Sequence, residues 1–324
     1  MNTYSVKELA DRIINGYRVN RDDIDRIKNS DINELSEHAD RIRKELCGNG
    51  FSLCTIINGK SGRCSENCKF CSQSSFSACD IEVYDFIDDS IISESAKKNR
   101  DSGVGRFSIV TSGRKLSGLD LKKEIEAYKK ISDKTDIGLC ASNGLLGYDE
   151  MILLKKAGVT RYHNNLETSR KYFEKICTTH TYDEKIKTIK AAQNAGMSVC
   201  SGGIIGMGEN LDDRIDMAFE LKNLDVDSVP VNVLNPIQGT PLENVTSLEY
   251  DEIIRTISIF RFILPDKVIR LAGGRICMND RGKRTLKAGI NGFITGDMLT
   301  TAGAGIKDDI SMVSENGFEV IKFE

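Results

Sequence analysis

Short apolar runs alternate along the chain with stretches whose apolar residues recur at helical spacing. The runs FSLCTII (51–57), RFSIVTS (106–112), DIGLCAS (136–142), VTRYHNNL (159–166), SVCSGGIIG (198–206), DSVPVNVL (227–234), KVIRLAG (267–273) and GFITG (292–296) read as eight strands. Between them lie helical patterns at 88–102, in LDLKKEIEAYKKI, in YDEMILLKKAG, from Tyr182, from Asp212, from Tyr250 and at 279–288, with a long loop after the first strand. Thr181 followed by Glu184 forms a capping box. Gly158, Gly196 and Gly289 each stand between a helix and the next apolar run, where a left-handed C′ residue is wanted. Such alternation implies an α/β fold with a parallel sheet, and eight units fit a (β/α)8 TIM-type barrel; an open doubly wound sheet is the alternative. Residues 1–50 read as an N-terminal helical extension, 51–300 as the barrel, and 301–324 as a C-terminal tail whose pattern places no element.

In a barrel of this kind the reacting groups gather at the C-terminal ends of the strands. Cys54, Ser108, Cys140, Asn165, Cys200, Asn232 and Arg270 each lie in or near the end of a different predicted strand, which directs seven side chains at one cavity. The loop after the first strand carries Cys64-Ser-Glu-Asn-Cys68-Lys-Phe-Cys71. Three thiolates so spaced can hold three irons of a [4Fe-4S] cube and leave the fourth iron open. A structural zinc site would ordinarily use four protein ligands in paired spacings. Of the ten cysteines only these three have ligand-like local spacing. Cys47, Cys79 and Cys177 read as small buried hydrophobes, the usual place of a free cysteine. His38 and His180 read as surface or packing residues with no ligand partner in sequence.

Composition narrows the setting. With 40% hydrophobic and 29% charged residues over 324 positions, the chain reads as globular rather than disordered. Lys and Arg number 45 against 48 Asp and Glu, a net charge of −3 without a basic block, so nucleic acid is not an expected partner. No apolar run approaches the roughly 18 residues of a membrane span, and the start MNTYSVKELADRIING is charged and amphipathic rather than a leader. The expected location is the cytoplasm, where cysteines stay reduced or ligate metals.

The C-x3-C-x2-C spacing, with Phe70 before its last cysteine and a barrel pattern after it, resembles the radical S-adenosylmethionine superfamily. The blocks CSENCKFCSQSS (64–75), YHNNLETS (162–169), TTHTY (178–182), VCSGGIIGMGE (199–209), SVPVNVLNPIQGTPL (228–242) and RLAGGR (270–275) narrow the resemblance to its biotin synthase family. The resemblance implies a sulfurtransferase that converts dethiobiotin to biotin with a 5′-deoxyadenosyl radical and an auxiliary iron–sulfur cluster as sulfur donor. It places a [4Fe-4S] cluster on Cys64, Cys68 and Cys71, and an S-adenosylmethionine pocket on Phe70, Thr111, Asn165, Glu167, Lys185 and Ile204. Lys185 stands where the family commonly has arginine, which keeps the charge and loses the bidentate fork. The implied catalytic residues are Arg270, Asn165 and Asn232, and the implied contacts to the ureido ring are His163, Asn165 and Asn232. A flavodoxin- or ferredoxin-type electron donor and a homodimer are implied as well. The alternatives are another radical S-adenosylmethionine barrel, such as a hydrogenase-cofactor maturase or a mutase relative, and a non-catalytic iron–sulfur redox or storage protein.

One position departs from the family pattern. The resemblance puts a [2Fe-2S] auxiliary cluster on three cysteines and an arginine, and Cys140, Cys200 and Arg270 match, but the third cysteine position is Ser108. A serine oxygen is a poor substitute for thiolate on iron. Cys54, on the first strand and turned inward, restores a third thiolate. This set resembles a variant form of the family that carries a [4Fe-5S] auxiliary cluster, with Cys54, Cys140 and Cys200 as expected ligands and Cys277 and Arg270 as further candidates.

Overall fold

The computed structural model describes residues 5–301 and 303–322. Three helices come first: α1 (Val6–Ile14), α2 (Arg21–Ile27) and α3 (Ile32–Cys47). Ser5 and Asn20 cap the first two with reciprocal side-chain bonds, and Asp31 caps the third. The strands β1 (Gly50–Lys60), β2 (Arg106–Thr111), β3 (Gly138–Ser142), β4 (Val159–His163), β5 (Ser198–Cys200), β6 (Gly203–Ile205), β7 (Ser228–Val233), β8 (Val268–Leu271) and β9 (Gly292–Ile294) follow one another around a parallel ring. Pairing of Ser52–Cys54 with Gly292–Ile294 closes it into a barrel.

β5 and β6 are two halves of one apolar run, and both pair with β7. The break falls at Ser201 and Gly202. There the Ser201 N–H donates to the Ser228 carbonyl and the Gly202 N–H to the Asn165 side chain. A Cβ at Gly202 would lie 2.0 Å from the Pro230 carbonyl oxygen, so only glycine lets the chain pass.

Outside the ring lie α4 (Asp89–Asp101), α5 (Gly118–Lys134), α6 (Tyr148–Lys156), the single turn α7 (Arg170–Phe173), α8 (Tyr182–Asn194), α9 (Leu211–Asn223) and α10 (Tyr250–Ile263). The Thr181–Glu184 capping box opens α8, and Gly158, Gly196 and Gly289 all take positive φ. No continuous helix forms at 279–288: Arg281 and Gly282 both have positive φ, which divides the segment and leaves a tight 3-10 turn at Lys283–Lys287. The segment after residue 300 is part of the fold. α11 (Ile306–Glu315) leads to β10 (Glu319–Ile321), which pairs in parallel with the start of β1. The backbone there is so close that a Cβ at Gly105 would meet the Lys322 carbonyl oxygen at 2.3 Å.

A buried ion pair holds the loop after β6. Glu209 accepts from the Gly206 and Met207 N–H groups, each at 2.7 Å, and from Arg214 Nε at 2.6 Å, with both charged side chains 1% exposed. Glu209→Ala leaves the guanidinium held by Glu252 and Thr256 but strips the Gly206 and Met207 N–H groups and Arg214 Nε of their acceptor, and is expected to destabilise the fold by about 3 kcal/mol. A urea unfolding midpoint equal to that of the unsubstituted chain would contradict this.

Candidate functional site

Alternation along each strand decides what the barrel encloses. Its interior is a cavity of about 350 Å³. Cys54 and Ile56 of β1, Arg106, Ser108 and Val110 of β2, Cys140 and Ser142 of β3, Arg161 and His163 of β4, Cys200 of β5, Pro230 and Asn232 of β7 and Arg270 of β8 line it, with Asn165, Phe70 and Ile204. The seven side chains directed at one cavity by the strand pattern therefore do meet there. Cys54 is not at a strand end, however. β1 continues to Lys60 because Asn58 and Lys60 find partners in Val110 and Thr111, which leaves Cys54 mid-strand, level with Arg106 and Ile294.

The inner thiols interact. The nearness of the Cys54 thiol, with the Arg106 and Arg161 guanidiniums working against burial, brings the Cys140 thiol down to about 5. The nearness of Cys140 and burial hold the Cys54 thiol well up. Burial raises Cys200, and Arg270 and Arg161 oppose the rise. Arg106 Nη1 is 3.9 Å from Cys140 Sγ and 3.1 Å from Thr160 Oγ1. Arg161 bonds Ser198 Oγ at 2.9 Å, and Arg270 bonds Ser228 and Ser52 Oγ at 2.9 and 3.3 Å. Arg106 and Arg161 escaped the sequence reading, although Arg106 opens β2 and Arg161 lies inside β4, both at positions that line the cavity. Ser108 Oγ is buried and accepts or donates no hydrogen bond among the described residues.

The amide side chains tie strands together. Asn165 Oδ1 accepts from Gly202 N–H at 3.1 Å. Asn232 Oδ1 accepts from Gly273 N–H at 2.9 Å while its Nδ2 donates to the Gly203 carbonyl at 3.1 Å. Each amide keeps further donor and acceptor capacity. Burial lowers the His163 pKa, which keeps its ring neutral. Thr111, Glu167 and Lys185 lie outside the cavity lining. Thr111 Oγ1 accepts from Asn143 Nδ2 at 3.2 Å, and Asn143 also donates to Glu124, a carboxyl that burial pushes up to about 8. Glu167 has φ of +73°, a costly conformation for a non-glycine residue, and its backbone pairs with Gly203 and Ile204. Its carboxylate stands 3.6 Å from Lys185 Nζ, Lys185 buried and Glu167 partly so, and its Oε2 has no hydrogen-bond partner among the described residues.

The three-cysteine loop folds back on itself. Cys64 pairs with Gln73 and Ser75 through its backbone, Cys71 N–H donates to the Cys68 carbonyl, and Ser74 Oγ bonds the Glu66 carbonyl at 2.6 Å. Cys64 is near enough to Cys71 to repel it as a thiolate, though burial is the main reason the Cys71 thiol is pushed up to about 11. Asn67 pins the loop to the segment after α7 by accepting from the Thr178 and Thr179 N–H groups. This brings Cys177 and His180 to the loop; both are buried, as the reading of them as packing residues has it, and both also hydrogen-bond side chains there. Cys68 Sγ lies 3.7 Å from Cys177 Sγ, which lies 3.3 Å from His180 Nδ1. The bond from Cys68, with those of His180 and Thr179, brings the Cys177 thiol down to about 3.

The Radical SAM superfamily matches residues 60–221, and the Biotin and Thiamin Synthesis associated domain matches residues 230–319. A biotin synthase of Clostridium botulinum (strain Alaska E43 / Type E3) is 54% identical over 97% of this chain and 99% of its own. The chain belongs to the biotin synthase family. Biotin synthases of Clostridium beijerinckii and Campylobacter hominis, each 52% identical over 97% of this chain, cover 100% and 97% of their own lengths. Among solved structures, methylornithine synthase superposes with a TM-score of 0.84 at 19% identity over 97% of both chains. The [FeFe]-hydrogenase maturase HydG does so with 0.84 at 15% identity over 99% of this chain and 77% of its own. These two likenesses concern the fold alone. Membership of the biotin synthase family brings with it a [4Fe-4S] cluster, S-adenosylmethionine and dethiobiotin. No helix of the described residues is long and apolar enough to cross a membrane.

Proposed function

We propose that this chain makes biotin from dethiobiotin with two iron–sulfur sites, the [4Fe-4S] cluster on Cys64, Cys68 and Cys71 and an auxiliary, sulfur-donating cluster on Cys54, Cys140 and Cys200. The observation that carries the reading is the set of three inward thiols with three guanidiniums in one barrel cavity. Thiolates suit iron, and the cations of Arg106, Arg161 and Arg270 offset the negative charge that thiolates and sulfides bring into a dry interior. When bound, the first cluster supplies the electron that cleaves S-adenosylmethionine to a radical able to abstract hydrogen from dethiobiotin.

The remaining work falls to the protein. The spare donor and acceptor capacity of Asn165 and Asn232, with the neutral His163, suits the ureido ring. Met298–Thr301 line the cavity mouth. They are fastened there by Asn58 Nδ2 to the Leu299 carbonyl at 3.2 Å and by Ser72 to Thr300 at 3.0 Å, which helps exclude water. Lys185 offers an ammonium for the carboxylate of S-adenosylmethionine, and the unpartnered Glu167 oxygen accepts from one of its donors. Lys185→Met is expected to raise the KM for S-adenosylmethionine about tenfold or more, the loss of a charge-assisted bond of about 1.5–3 kcal/mol. An unchanged KM would remove Lys185 from the pocket.

The test of the function is an anaerobic assay of cluster-loaded protein with reductant, S-adenosylmethionine and dethiobiotin. Formation of 5′-deoxyadenosine and biotin together supports the reading. Deoxyadenosine without biotin would point to another radical reaction, and neither product would point to a non-catalytic cluster protein.

A further inference from the structure

The three-cysteine loop and the segment after α7 set two thiols face to face. Cys68 Sγ and Cys177 Sγ are 3.7 Å apart, sulfur against sulfur at contact distance. The chain on either side of the pair is fastened across it. Lys69 N–H donates to the Ile176 carbonyl at 3.0 Å, Asn67 Nδ2 to Thr178 Oγ1 at 2.7 Å, and Asn67 N–H to Thr179 Oγ1 at 3.1 Å. Neighbours in both directions thus hold the two sulfurs opposite each other. A disulfide bond of about 2.05 Å asks them to close by roughly 1.7 Å, a movement the two side chains can share by turning about χ1.

Burial decides how the pair is reached. Cys68 is partly exposed, whereas Cys177 is buried. A small oxidant therefore enters by way of Cys68 and meets two thiols in contact. A cysteine oxidised with no second thiol at hand goes on from sulfenic to sulfinic acid, which thiols do not reverse. With a partner in place the sulfenic acid condenses to a disulfide, which thiols do reverse.

We propose that, in the cluster-free chain, Cys68 and Cys177 are an oxidation site at which a peroxide forms a reversible disulfide, and that this pairing guards Cys68 against irreversible oxidation. In the first step one thiol of the pair takes oxygen from hydrogen peroxide to give a sulfenic acid and water. In the second the other sulfur attacks it: the S–S bond forms, the S–O bond breaks, and the hydroxyl leaves with the second thiol proton as water. Two thiols are oxidised and one peroxide is reduced; a dithiol returns both by exchange. That Cys68 is a cluster ligand rests on the proposed function, and the pairing of the two thiols does not.

The test is treatment of anaerobic, thiol-reduced, cluster-free protein with a small excess of hydrogen peroxide, followed by alkylation of the remaining thiols and peptide mapping by mass spectrometry. A Cys68–Cys177 linkage is expected as the main cross-link, and it is expected to persist in the double variant Cys64→Ala/Cys71→Ala. In Cys177→Ala, Cys68 is expected to carry the two oxygens of a sulfinic acid instead. After dithiothreitol the unsubstituted chain is expected to regain its full iron content on reconstitution, whereas peroxide-treated Cys177→Ala is not; untreated Cys177→Ala takes up iron as the unsubstituted chain does, which shows it folded. A main cross-link from Cys68 to Cys64 or Cys71, or a sulfinic Cys68 in the unsubstituted chain, overturns the pairing. Equal recovery of iron by the two treated chains overturns the protective role. The peptide map involves neither cluster nor dethiobiotin, so failure of the proposed function leaves the linkage standing.

Discussion

Cys71→Ala is expected to lower 5′-deoxyadenosine formation by more than about a thousandfold, roughly 4 kcal/mol or more of lost transition-state stabilisation. A [4Fe-4S] cube held by three thiolates has no protein ligand in reserve, so removing one frees a second iron and the cube is lost. Cys71 is the informative choice. Cys68 also meets Cys177, at 3.7 Å, and its replacement would disturb that contact as well. The Cys71 backbone, in contrast, donates only to the Cys68 carbonyl and accepts from Ser77 Oγ, bonds that alanine preserves. Iron content and deoxyadenosine yield, measured on protein with an unchanged thermal midpoint, check the expectation. A variant that still cleaves S-adenosylmethionine at a comparable rate would remove Cys71 from the ligand set.

Cys54→Ala is expected to abolish biotin formation while deoxyadenosine formation persists, with iron falling from about eight to about four atoms per chain and the auxiliary Mössbauer signal lost. The two activities are expected to separate because Cys54, Cys140 and Cys200 lie in the barrel interior, while Cys64, Cys68 and Cys71, proposed to hold the radical-generating cluster, lie in the loop beyond the end of β1. Ser108→Ala serves as the control. Its hydroxyl is buried with no hydrogen-bond partner among the described residues, so a role as iron ligand predicts loss of auxiliary iron, whereas the thiol set predicts none. Anaerobic Mössbauer spectroscopy with iron and sulfide counting decides between them. About six irons with a [2Fe-2S] signal indifferent to Cys54 would return Ser108 to the ligand list and sink the three-thiol site.

Local signals carried most of the scaffold. The alternation of apolar runs and helical patterns marked every stave of the barrel, and the Thr181–Glu184 box and the glycines at 158, 196 and 289 marked helix ends, because capping and left-handed backbone depend on residues within a few positions. β10 was invisible for the opposite reason: three residues, Glu319–Ile321, form a strand only because β1 offers a free edge. The segment at 279–288 carried a helical pattern, but the left-handed backbone at Arg281 and Gly282 divided it.

The sequence by itself determined the barrel, its family and the three-cysteine loop, since alternating apolar runs and helical patterns and a short cysteine spacing are legible without knowledge of neighbours. Tertiary structure alone decided depth and company. It placed Cys54 mid-strand beside Arg106, turned Arg106 and Arg161 toward the thiols, used both ends of the Asn232 amide to join β6 to the end of β8, and brought Cys177 and His180 to Cys68. These contacts span from 21 residues of chain, Cys140 to Arg161, to 112, Cys68 to His180. Strand register and barrel closure set them, and no local pattern encodes either.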